Sequence, residues 1–150
     1  MTLETGTTAP DFTLKTKTPD GLVDIKLSEQ IGQNSVVLLF FPFAFTSVCT
    51  AEACSVRDDL TSYESLDAKV FGISVDSPFA QEVMSEKENL NFPLLSDFNK
   101  STSTDYGVLY DEFIGFSGVS KGLPLSFQKK VKLFLLGPQM TRNNCLILML

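Results

Sequence analysis

Six consecutive apolar positions, Val36–Phe41, start with β-branched residues and show no polar alternation, so they predict a strand buried on both faces. Pro42 ends it, because proline has no N–H to give a ladder. A short loop over Phe43–Phe45 follows, and Thr46 or Ser47 is placed to cap a helix in which Ala51, Glu52 and Ala53 are good formers. Leu60, Tyr63 and Leu66 continue an apolar face toward Asp67. Val70–Val75 is a second apolar run, bounded by Asp76 and Pro78, and Phe79–Leu90 has helical periodicity with a charged face at Glu82, Glu86, Lys87 and Glu88. Near the start, Phe12–Thr16 and Val23–Leu27 predict two short strands joined as a hairpin across Pro19-Asp20-Gly21. Ser28 is expected to cap a short helix, Glu29–Ile31, that Gly32 ends. Phe92–Leu95 predicts a short strand and Ser101–Val108 a further helix. Strands alternating with helices give an α/β class with a central mixed sheet flanked by helices, Val36–Phe41 and Val70–Val75 lying side by side at its centre.

Composition narrows what such a sheet can carry. At 150 residues the chain is one domain's worth. A net charge of -6 argues against a surface for nucleic-acid phosphates. No apolar run reaches the length of a membrane span, and Met1–Gly6 lacks the charge and apolar core of a signal peptide, so no membrane association and a cytoplasmic address are expected. Three cysteines without a secretory signal point to reactive thiols rather than a disulfide framework. The chain has no histidine, which removes His-based triads and the commonest metal ligand. No metal and no cofactor are implied.

Cys49 falls in the first turn of the helix after Pro42. There the unpaired N–H groups and the positive end of the helix favour a thiolate over a thiol. Taken alone, Pro42 and Thr46 are an ordinary strand stop and cap, and a free cysteine is most often an inert buried one.

The spacing Pro42-x-x-x-Thr46-x-x-Cys49 at the end of a buried strand closely resembles the active-site motif of the peroxiredoxins, thiol peroxidases on a thioredoxin-like fold. Thr8-Ala9-Pro10-Asp11-Phe12-Thr13-Leu14 is similar to that family's N-terminal signature, and Asp76-Ser77-Pro78-Phe79-Ala80 to its mid-chain turn. The resemblance covers residues 4–121. It implies that Cys49 attacks hydroperoxides and becomes sulfenic acid, that the Thr46 hydroxyl holds peroxide and thiolate, and that Pro42 shields the site. A thioredoxin-like or other thiol reductant would then recycle the enzyme, and a homodimer is one assembly it allows.

Cys54 matches the resolving cysteine of a subset of that family; the other reading is that Cys54 packs against the sheet and an outside thiol resolves. Five helical residues advance about 7.5 Å and turn roughly 500°, so a Cys49–Cys54 bond requires local unwinding. Glu52 is placed to accept hydrogen bonds near the site, or equally to be a first-turn surface acid. Arg57, in a frequent family pattern, is expected to pair with Asp58, Asp59 or a partner subunit.

From Gly122 the text changes. Residues 122–150 hold four basic residues and none of the eighteen acidic ones, and Phe134–Gly137 and Leu146–Leu150 are apolar without alternation. Taking the third base of each codon with the first two of the next, as after loss of one nucleotide near Lys121, allows Ser-Lys-Arg-Ala-Ala-Phe-Val-Ile from Ser120. That text resembles the family's closing hairpin, so residues 122–150 resemble a frameshifted, aberrant tail of a single domain. It also puts arginine, on which the family's activity depends, where this chain has Gly122. Leu123–Phe127 and Val131–Leu136, separated by Gln128-Lys129-Lys130, are nonetheless expected to pair as a hairpin. Cys145 lies in the tail and receives no role.

Four readings compete: a peroxidase for hydrogen peroxide and small organic hydroperoxides; a thiol–disulfide oxidoreductase or redox sensor, which would more usually carry Cys-x-x-Cys; a catalytically impaired subunit that still associates with intact partners; and, a distant fourth, metal binding by two cysteines.

Overall fold

The computed structural model describes Leu3 and residues 7–30, 34–65, 67–128 and 132–135. In chain order the elements are β1 (Thr13–Thr18), β2 (Gly21–Lys26), α1 (Leu27–Gln30), β3 (Ser35–Phe40), α2 (Ser47–Asp58), α3 (Leu60–Glu64) and β4 (Ala68–Ser74). After these come α4 (Pro78–Lys87), β5 (Leu94–Ser96), α5 (Ser101–Asp105), β6 (Leu109–Tyr110), β7 (Val119–Ser120), β8 (Leu123–Gln128) and β9 (Lys132–Leu135). Among the described residues one sheet has the order β2-β1-β5-β4-β3-β8-β9, and β6 pairs with β7 as a separate ribbon. β3 runs parallel to β4 and β4 to β5, whereas β1–β2, β1–β5, β3–β8 and β8–β9 are antiparallel.

The mixed sheet and the two adjacent central strands are as the hydrophobic pattern predicts, because β3 is buried on both faces. Val36, Leu38 and Phe40 point into one cluster with Phe12, Leu14, Ile73, Leu95 and Tyr106. Val37, Leu39 and Phe41 point into the other, against Cys49, Ala53, Val56 and Tyr63 from the helical layer. Successive side chains of a strand alternate faces, so one continuous apolar run serves two cores. Gly72 on β4 permits the second of these. A Cβ there would stand 2.5 Å from Leu94 Cδ2 and 3.3 Å from Phe41, so any larger residue would make the side chains that close over the strand shift.

Several boundaries differ from the sequence pattern. The first hairpin turns on Pro19-Asp20, so its strands are Thr13–Thr18 and Gly21–Lys26, and Leu27 already belongs to α1. Ser28 does not cap α1 as expected; it lies inside that turn, and its N–H donates to the Asp11 carboxylate at 2.9 Å. The helix expected over Phe79–Leu90 spans Pro78–Lys87 because Asn89, at φ 50°, turns the chain and lets the Leu90 N–H return to the Ser85 carbonyl at 2.9 Å. The helix expected over Ser101–Val108 stops at Asp105 for the same reason: Gly107 sits at φ 64° and the Val108 N–H bonds the Ser103 carbonyl at 2.9 Å. The apolar face carrying Leu60 and Tyr63 forms a separate short helix after a break at Asp59. The closing hairpin forms, β8 pairing with β9 and lying against β3 with Leu123 opposite Phe40. Ile31, Gly32, Leu66, Lys129, Lys130, the Val131 and Leu136 ends of the expected hairpin strand, and Cys145 lie outside the described residues.

Candidate active site

The site stands where β3 ends, at the carboxyl end of the parallel strands, and the loop Phe41–Thr46 carries the chain from strand to helix. Pro42 is buried at the start of this loop. Thr46 is the N-cap of α2, in extended backbone, and its Oγ1 accepts the Cys49 N–H at 3.4 Å while its hydroxyl donates to the Phe43 carbonyl at 3.5 Å. Both bonds are long, so this hydroxyl can turn to another acceptor at little cost. Cys49, third in the helix, is only 5% exposed and is a free thiol.

Three contacts from distant parts of the chain hold the loop. The Ala44 N–H donates to Asp76 Oδ2 at 2.8 Å, and the same oxygen accepts the Ser74 hydroxyl at 2.8 Å. Phe43 packs on the turn Phe113–Phe116, edge-on to Phe116 at 5.6 Å and tilted to Phe113 at 6.4 Å. Phe45, at φ 65°, lies under the Lys87 ammonium, 5.6 Å from the ring centre. A bulky residue in the left-handed region is strained, and these flanking anchors are what hold it there.

The other sequence-predicted residues fall at different distances from this arrangement. Cys54 is half-buried one and a half turns further along α2, and it too is free. Its sulfur donates to Glu88 Oε2 at 3.7 Å, and partial burial followed by the carboxylate outweighs the Arg57 charge to raise its pKa. Glu52 is sixth in α2, in the second turn rather than the first, and half-buried rather than on the surface; burial raises its pKa. Among the described residues no side-chain hydrogen bond joins Glu52 to Cys49 or Thr46. Arg57 pairs through Nε with Asp58 at 2.8 Å and through Nη1 with the Glu88 carbonyl, which leaves its guanidinium engaged beside Cys54. Gly122 comes immediately before β8; a Cβ on it would lie 3.8 Å from Pro42 Cδ, and its φ is outside the left-handed region.

Sequence reasoning missed how Asp76, Phe113, Phe116 and Lys87 hold the loop, and that Glu88 partners Cys54. Asp76 was visible as part of a turn signature, but a side chain reaching back 32 residues leaves no local pattern.

A thioredoxin-like α/β sheet whose central strand delivers a buried cysteine to the first turn of a capped helix defines the class. The AhpC/TSA family matches residues 5–140. Among curated relatives, spinach chloroplastic 2-Cys peroxiredoxin BAS1 is 36% identical over 122 residues, 76% of this chain and 46% of that one. Mouse peroxiredoxin-2 is 40% identical over 76% of this chain and 61% of its own length, and Mycobacterium tuberculosis alkyl hydroperoxide reductase E is 37% identical over 73% and 71%. The chain therefore spans about half the length of the spinach relative. Among solved structures, peroxidoxin BcpB of M. tuberculosis superposes with a TM-score of 0.75 at 30% identity, covering 89% of this chain and 84% of that one. M. tuberculosis AhpC gives 0.77 at 26%, covering 95% and 88%. The chain belongs to the AhpC/TSA family of peroxiredoxins.

Proposed function

We propose that the protein is a thiol peroxidase that reduces hydrogen peroxide and small organic hydroperoxides through Cys49. The observation that carries this is a buried thiol in the first turn of α2, its N–H on the hydroxyl of Thr46 and Pro42 buried at the start of the same loop. The Cys49 thiolate attacks one peroxide oxygen in line with the O–O bond; an S–O bond forms, the O–O bond breaks, and the leaving oxygen takes a proton to become water or an alcohol. The Cys49 N–H and the Thr46 hydroxyl are the donors that orient the peroxide, and the enclosing loop limits water. Cys54 then resolves the sulfenic acid, and a thioredoxin-like donor in the cytoplasm reduces the disulfide. Membership of the peroxiredoxin family supports this cycle. Among the described residues no helix is long and apolar enough to cross a membrane.

Trapping with dimedone after an equimolar dose of peroxide tests the first step. The adduct is expected on Cys49 in the Cys54→Ser protein and absent from Cys49→Ser, which consumes no peroxide. Unmodified Cys49 together with unchanged peroxide would remove the peroxidase reading.

A second reading follows from Gly122. The resemblance puts the family's arginine at Gly122, which bears no side chain, and a Cβ there would lie 3.8 Å from Pro42 Cδ, which supports an impaired peroxidase that serves as a non-catalytic or redox-sensing subunit. We also keep the frameshift reading of residues 122–150 as a proposal; sequencing across the Lys121 codon, with an intact mass of the purified protein, decides it.

A further inference from the structure

The second half of α2 is fastened at three points to the residues that close α4. Cys54 Sγ donates to Glu88 Oε2 at 3.7 Å, Arg57 Nη1 donates to the Glu88 carbonyl, and Asn91 Nδ2 donates to the Arg57 carbonyl at 3.1 Å. Asn89 turns the chain at φ 50°, which brings Glu88 and Asn91 to the same stretch of α2. Cys54 cannot reach Cys49 while α2 is helical, so a disulfide between them needs the helix to unwind there and the Cys54–Glu88 contact to open. The contact at Cys54 depends on its protonation: a thiol donates to a carboxylate, whereas a thiolate has no hydrogen to give and is repelled by it.

We propose that Glu88 is a positioning residue for Cys54, a latch whose carboxylate holds the thiol docked at the end of α4 and lets the thiolate go, so that the fastening at Cys54 opens in the step that arms the sulfur. The place of this latch in a catalytic cycle rests on the peroxidase reading; the contact itself does not. In the cycle, Cys54 loses its proton to solvent and its sulfur attacks the sulfur of the Cys49 sulfenic acid. The S–S bond forms as the S–O bond breaks, and hydroxide leaves as water with the equivalent proton. The hydroperoxide that made the sulfenic acid is the only oxidant required. The charged groups facing Cys54 are Arg57 and Asp58 on α2 and Glu88 at the end of α4. Arg57 favours the thiolate and Glu88 opposes it, so the two residues of one clamp act on the sulfur with opposite sign.

That opposition gives the test. In a Cys49→Ser, Cys145→Ser protein, where Cys54 is the sole thiol, iodoacetamide alkylation is followed against pH. Glu88→Gln is expected to move the midpoint down and to raise the rate at pH 7 roughly three- to tenfold, the thiolate fraction gained by losing one neighbouring charge. Arg57→Leu is expected to move the midpoint up. A clamp that only held the helix in place would loosen in both variants and shift both midpoints alike. An unmoved midpoint in Glu88→Gln, or shifts of the same sign in the two, overturns the proposal. With all cysteines present, Glu88→Gln is expected to form the Cys49–Cys54 disulfide several-fold faster at pH 7 after peroxide, with sulfenic acid formation unchanged. A protein that does not react with peroxide at all sinks the peroxidase reading and leaves the alkylation result standing.

Discussion

Thr46 holds both the loop carbonyl of Phe43 and the N–H of Cys49; the sequence located this cap to within one residue, Thr46 or Ser47, because a cap and the helix it starts are neighbours in the chain, and left the Phe43 bond unforeseen. Glu52 was less legible, since the helix begins at Ser47 and places it in the second turn, where its carboxyl is half-buried. Burial raises the folded-state pKa of Glu52 above the ordinary 4.5, so the folded chain binds the proton more tightly than the unfolded one. Its contribution favours folding below the unfolded pKa and is lost as pH rises through the folded value. Glu52→Gln is therefore expected to raise the Tm at pH 7 and to leave it unchanged at about pH 4 and below. An equal Tm change at both would show that the carboxyl is not destabilised by burial. Gly122 is the other residue with a clear outcome. β8 follows it directly, in register with β3, and a Cβ at Gly122 meets Pro42 at an ordinary contact distance. Gly122→Arg is expected to increase the second-order rate with peroxide on the order of a hundred- to thousandfold, the usual worth of one preorganised donor to a developing oxyanion. Equal rates for the two proteins would discard the impaired reading.

Among the elements, the long apolar strands were legible and the ends of helices were not. Val36–Phe41 announces β3 because burial on both faces removes all alternation, whereas α4 and α5 stop at Lys87 and Asp105, two residues before Asn89 and Gly107, where one positive φ outweighs an apolar pattern that continues past it. The β6–β7 ribbon went unforeseen because two residues carry no period. α2 carries the main dynamic consequence. Its two thiols are free and separated along one helix, so mild oxidation is expected to link Cys49 to Cys54 and to lower the far-UV helical signal, with both changes reversed by dithiothreitol. Cys54→Ser should keep a single turnover with peroxide and fail to recycle with a dithiol protein. Peptide mapping that pairs Cys49 only with Cys145, or with nothing, would take the resolving role from Cys54.

For the whole molecule, the contacts that hold the site loop come from three separate regions, near residues 76, 87 and 113–116, which is why composition and periodicity could name the loop but not its supports. β3 lies inside the sheet, between β4 and β8, and belongs to both cores, while α2 packs on one of them alone. In terms of amide hydrogen exchange, the two should behave as separate cooperative units. The amides of Val36–Phe40 have neighbours on every side and are expected to exchange only when the whole chain unfolds, reporting its global stability. Those of α2 should open at lower free energy and, once Cys49 and Cys54 are joined, lose protection while β1, β5 and the cluster around Phe12 and Tyr106 keep theirs. Loss of protection throughout the sheet on oxidation would mean that the disulfide unfolds the molecule. Retention outside α2 would mean that one core stays closed through each cycle and serves as the template on which the helix re-forms.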